Sequence, residues 1–152
     1  MSPRRIVLGV LLAMSAAADA CEGLVARDGW IRQPPPGSSH AAGYLSLHNE
    51  GEQTITIESV ASPDFETAML HETRYSDGRA QMRHVHSLEL APGKRIEARP
   101  GGLHVMLMHP RVELATDALV ELDITCAAGT PLAAWLSVRR TAPPATATTT
   151  GE

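Results

Sequence analysis

Apolar residues in this chain alternate with polar ones over short runs, and clusters of glycine, proline, asparagine and aspartate separate the runs. Successive side chains of a strand point to opposite faces, so a period of two marks half-buried strands. The runs are LVARDGWIR (24–32), AAGYLSLHN (41–49), QTITIESV (53–60), FETAMLHETR (65–74), RAQMRHVHSLEL (79–90), KRIEARP (94–100), GGLHVMLMHP (101–110), ALVELDITC (118–126) and LAAWLSVRR (132–140). QPPPGSS (33–39) cannot be helical, because proline lacks the amide donor and clashes with the preceding turn. Asp77-Gly78 and Pro92-Gly93 supply turn chemistry in the breaks, and NEGEQ (49–53) reads as a hairpin turn between its flanking strands. No long segment carries helical periodicity with caps. Eight or nine regularly spaced strands predict an all-β sandwich or barrel, as a single domain.

The two ends are not part of that fold. Residues 1–20, MSPRRIVLGVLLAMSAAADA, have a basic start, a short apolar run from Ile6 to Met14 and an Ala18-Asp19-Ala20 cleavage site. This is the pattern of a secretory signal peptide, and its apolar run is short for a membrane span. The domain is expected over 21–140, and TAPPATATTTGE (141–152) as a disordered, low-complexity tail. Cys21 follows the cut directly and raises lipid attachment as an alternative, although Ala18 and Asp19 fit such a signal poorly. A periplasmic, soluble location is the expectation.

Removing residues 1–20 takes away two arginines and one aspartate, which moves the net charge from −4 to −5. A mildly acidic chain without basic runs is a poor partner for nucleic acid or anionic lipid. Two cysteines remain, Cys21 and Cys126. They provide no C-x-x-C metal or haem motif, and an oxidising compartment favours their pairing with each other.

The chemistry-bearing residues are histidines and methionines. Beyond residue 20 the methionines are Met69, Met82, Met106 and Met108, and the histidines stand at 40, 48, 71, 84, 86, 104 and 109. Met69 with His71, and His104 with Met106, are each two apart on an expected strand. Each pair therefore shares a face, with Cα atoms about 6.6 Å apart. Thioether is a soft neutral donor that favours Cu(I), and imidazole suits copper as well. Zinc and calcium sites seldom use thioether. Methionine also fills irregular core gaps, so spacing alone leaves packing and metal binding both open. Met108, a further turn of the pleat along, reads as packing or rim. His84-Val85-His86 places two imidazoles on one face, as a solvated strand edge or as ligands for Cu(II) or Zn(II). Ser38-Ser39-His40 has no visible base partner and no G-x-S-x-G accompanies it, which argues against a hydrolase. Trp30, Tyr44 and Trp135 read as core aromatics.

His71, ten residues, Met82, twenty-one residues, then His104-Val105-Met106 is a pattern that resembles the H-x10-M-x21-H-x-M copper motif of the periplasmic copper chaperone family of PCuAC type. DGWIRQPPPGSSHAAGYLSLHNEG (28–51), LHETRYSDGRAQMR (70–83) and LAPGKRIEARPGGLHVMLM (90–108) resemble segments of the same family, and the similarity runs from about Asp28 to Val138. The resemblance implies a cupredoxin-like β-sandwich that binds Cu(I) through His71, Met82, His104 and Met106. It implies a chaperone and not an enzyme, acting as a monomer that is not membrane-embedded and delivers copper in the periplasm. The receiver would be an oxidase subunit, for cytochrome c oxidase assembly, or another copper chaperone. The segment before Met82, DGRAQM, lacks the additional methionine frequent in the family, and the tail lacks its His- and Met-rich extension. The alternative is a copper-dependent redox protein or electron carrier, which would want a cysteine thiolate with two histidines. Cys126 has no nearby His-x-Met.

Overall fold

In the computed structural model, residues 21–127 and 130–144 are described, and the alternating runs become ten strands. They are β1 (Leu24–Arg32), β2 (His40–Asn49), β3 (Ile55–Ala61), β4 (Phe65–Ser76), β5 (Arg79–His84), β6 (Leu88–Leu90), β7 (Arg95–Glu97), β8 (Leu103–Pro110), β9 (Leu119–Cys126) and β10 (Leu132–Arg139). Among the described residues no helix forms. The expected signal peptide, and the tail from residue 145, lie outside the described residues.

Hydrogen bonding runs in the order β5-β4-β8-β2-β1-β10-β9-β3-β6, with β7 added to β2. β1 and β10 pair in parallel and the remaining strands antiparallel. The two halves close over one core. Leu45, Leu47, Leu70, Val105 and Leu107 come from one half, and Ile57, Val120, Leu122, Ile124 and Leu136 from the other. Gly43 on β2 permits that closure, since a Cβ there would stand 2.9 Å from the Leu136 side chain. The expected all-β sandwich is what forms.

Ten strands replace eight or nine because RAQMRHVHSLEL divides. β5 pairs with β4 at one end of the order, whereas β6 pairs with β3 at the other. β5 is exposed along its whole length, while Leu90 of β6 is buried, so the chain must leave the edge to reach the core. NEGEQ is likewise not a hairpin turn. β2 and β3 do not pair, and the segment crosses from one half to the other. Asn49, fully buried, holds that crossing: its side-chain amide donates to the carbonyls of Gln53 (2.7 Å) and Leu90 (2.8 Å), and its Oδ1 accepts from the Gly51 amide (2.9 Å). Asp77-Gly78 does turn a hairpin, between β4 and β5, with both residues at positive φ as the tight hairpin turn requires.

Trp30 and Tyr44 pack as a buried pair, ring centroids 4.7 Å apart. Trp135 is not core: it is 57 % exposed. Ala134, Leu136 and Val138 take the buried register of β10, which turns Trp135 to the outer face. Cys21 and Cys126 form a disulfide, with Cα atoms 5.5 Å apart across 105 residues of sequence, tying the start of the domain to β9.

Candidate metal centre

Strand register decides which of the histidines and methionines meet. β4 and β8 pair so that His71 lies opposite His104 and Met69 opposite Met106. Cross-strand partners share a face, and Val105 and Leu107 fill the core from the other face of β8. His104, Met106 and Met108 are therefore excluded from the core by alternation alone. β5 adds His84 opposite His71 and Met82 opposite Thr73, on the same outer face. β2 completes it with His40 opposite Met108 and Ala42 opposite Met106. The small Ala42 leaves room over Met106.

Met82, His104 and Met106 line one cleft of about 330 Å³, walled by Pro34, Pro35 and Ala42. No carboxylate lines it, so a hard cation would find no anionic oxygen there. His104 is buried, and its Nδ1 lies 3.0 Å from the Gly102 carbonyl. A carbonyl only accepts, so Nδ1 carries the proton and the Nε2 lone pair is left free for an ion. His71 stands beside this cleft, its ring centroid 6.0 Å from that of His104. Two imidazoles bound about 2 Å from one ion keep their centroids roughly 5–6.5 Å apart, so the spacing fits shared ligation. His71 Nδ1 is buried with no hydrogen-bond partner, an uncompensated lone pair or donor of the sort a bound ion relieves. Burial, then the neighbouring imidazoles of His104 and His84, hold His71 below the usual histidine range, in its neutral, coordinating form at neutral pH.

Met82 is 60 % exposed. Its thioether stands at the rim of the cleft. Met108 lies outside the cleft, half-buried between His40 and Thr67. Met69, half-buried opposite Met106, lies on the same outer face. Among the described residues no three His, Cys, Asp or Glu side chains converge to hold an ion, so a site here has to draw on thioethers. Ser39 Oγ meets His40 Nδ1 at 2.8 Å, a partner the sequence did not reveal. His40, Pro34 and Pro35 escaped the sequence reading as cleft walls, because only the β2–β8 register brings them to Met106.

The sequence from 24 to 138 matches the model of the LpqE-like family, described as "Putative lipoprotein LpqE-like". Among curated proteins none matches the sequence. The fold is similar to the copper-bound PCuAC domain of PmoF2, with a TM-score of 0.65 and 19 % identity over 78 % of this chain and 94 % of that one. It is similar to the apo PCuAC domain of PmoF1, with a TM-score of 0.64 and 20 % identity over 78 % and 95 %. DR1885 from Deinococcus radiodurans, in its Cu(I) form, aligns with a TM-score of 0.62 and 27 % identity over 84 % and 85 %. These likenesses identify the sandwich as cupredoxin-like. Because the family model spans most of the chain, this protein belongs to the LpqE-like family, with the fold of the PCuAC domains.

Proposed function

We propose that the protein is a periplasmic copper chaperone that carries Cu(I) on His71, Met82, His104 and Met106, and passes it to a copper-receiving oxidase subunit or to another copper chaperone. The observation that carries the reading is the meeting of Met82 with His104 and Met106 in one carboxylate-free cleft beside His71. Two neutral imidazoles and two thioethers form a soft, uncharged donor set, which selects Cu(I) over zinc, calcium or magnesium. Copper is cargo here, and no group is needed to act as base or nucleophile. Exposure of Met82 suits transfer, because an incoming donor can displace the outermost thioether while the histidines still hold the ion. The copper-bound state of the PmoF2 domain and the Cu(I) form of DR1885 are in keeping with this cargo.

The electron-carrier reading lacks its thiolate, since Cys126 is bonded to Cys21. The same bond leaves Cys21 without a thiol for lipid attachment, which supports a protein that is not lipid-anchored there. X-ray absorption on protein loaded with one equivalent of Cu(I) tests the assignment. Nitrogen and sulfur scatterers together are expected, and a shell of nitrogen and oxygen alone would refute it.

A further inference from the structure

His84 ends β5 and His86 follows in the loop toward β6. Between them, the Val85 amide donates to the Leu70 carbonyl at 2.9 Å, and the Val85 side chain packs against the core. With Val85 anchored inward, the two flanking imidazoles emerge outward together. Both are exposed, and their ring centroids lie 4.5 Å apart with planes at 70°. An imidazole nitrogen about 2 Å from a metal puts its ring centroid roughly 3.2 Å away, so centroids at this spacing subtend about 90° at a shared ion. That is the angle between adjacent ligands of a tetragonal Cu(II) centre, whose preferred donors are nitrogen and oxygen.

We propose that His84 and His86 form a second copper site, exposed and built from imidazole alone, which takes Cu(II). Met82, two residues before His84 on the same face, lines the neighbouring cleft. Among the described residues no third His, Cys, Asp or Glu converges with the pair, so water fills the remaining positions. Binding exchanges two donors of the incoming Cu(II) complex for two imidazole nitrogens, and no electron changes hands. His84 lies 5.6 Å by ring centroid from His71, so the second site borders the proposed Cu(I) cleft without using its thioethers. The site stands independently of the Cu(I) assignment, since it uses different residues and a different oxidation state.

The test is electron paramagnetic resonance on the exported chain given one equivalent of Cu(II) as its glycine complex, without reductant. A tetragonal signal with coupling to two equatorial nitrogens is expected. His84→Ala/His86→Ala should weaken Cu(II) uptake at least tenfold and abolish that coupling. Met82→Leu/Met106→Leu should keep the signal, and so should His48→Ala as the control for scattered surface histidines. Retention of the wild-type spectrum by the His84/His86 variant overturns the site. Loss of the spectrum in the methionine variant overturns it as well, because Cu(II) would then occupy the cleft. Failure of the Cu(I) assignment is read separately, from Cu(I) loading of that same methionine variant.

Discussion

His71 and His104 face each other across the β4–β8 pairing, their ring centroids 6.0 Å apart, although thirty-two residues separate them along the chain. The relationship is a consequence of register. Sliding β4 by one residue would send His71 into the core and bring Leu70 out to solvent, and sliding β8 would do the same with His104 and Val105. The buried faces of Leu70, Val105 and Leu107 therefore fix the positions of the histidines, and the stability of the sandwich and the geometry of the site are set by the same pairing.

The first expectation separates the methionines of β8. Met106 lines the cleft with Met82 and His104, and Met108 does not. Met106→Leu should weaken Cu(I) binding at least tenfold, about 1.4 kcal/mol, while Met108→Leu should stay near the wild-type affinity. Competition against a Cu(I) chelator measures both. The reverse order would mean that the thioether facing the ion belongs to the other end of the strand.

A pH dependence follows from His71. Burial and the neighbouring His104 and His84 depress its folded pKa below the unfolded value near 6.5, so below that pH the unfolded chain binds the proton more readily. The contribution of His71 to stability is thus complete above about pH 6.5, falls as the pH drops through the window down to the folded pKa, and levels off below it. Thermal unfolding of the copper-free protein between pH 7.5 and 5 should show this decline, and His71→Asn should flatten it. A decline of equal slope in the variant would assign the titration to another group.

The disulfide makes a third expectation. Linking Cys21 to Cys126 closes a loop of about a hundred residues, which in the chain-entropy model stabilises by up to ~4.7 kcal/mol, with 2–4 kcal/mol typical. Mass spectrometry of the unreduced protein should find it lighter by two hydrogens than the reduced chain. Cys126→Ser should lower the denaturation midpoint accordingly. Two free thiols, or a diacylglycerol adduct on Cys21, would contradict the pairing.

Much of this was legible in sequence because alternation is a local signal. A period of two marks a strand wherever one face is buried, and it placed His104 and Met106 together before any partner strand was known. What alternation leaves open is which strand lies beside which. QTITIESV reads as a strand, but that it pairs with β9 and β6, and not with β2 across NEGEQ, depends on contacts far along the chain. Trp135 failed for a related reason. Its size suggested core, whereas Ala134, Leu136 and Val138 held the buried register. The family motif supplied the long-range information that periodicity could not, joining Met82 on an exposed edge strand to two residues of β8.

Asn49 carries the last expectation, and it is the residue whose role the sequence concealed most fully. It sits in a segment rich in turn formers, where asparagine is ordinary, yet it has no exposed surface and satisfies three backbone groups from Gly51, Gln53 and Leu90. Through Leu90 it ties the crossing segment to β6, the strand that follows the His84–His86 loop. Replacing it by alanine strands the buried Leu90 carbonyl and the part-buried Gln53 carbonyl and Gly51 amide, at about 1–3 kcal/mol wherever water cannot enter. Asn49→Ala should therefore cost about 2–4 kcal/mol in denaturant unfolding, at the high end for a single substitution. Asn49→Asp should lose nearly as much, because the carboxylate keeps the bond from Gly51 but sets a buried negative charge against the Gln53 and Leu90 carbonyls. Cu(I) affinity of either variant, measured well below its unfolding midpoint, should remain wild-type, since Asn49 lies on the crossing and not on the face that bears His71 and His104. A variant that unfolds with unchanged midpoint would show that the crossing is held by backbone contacts instead, those of Asn49 with Gly93 and Lys94 and of Glu50 with Gly23.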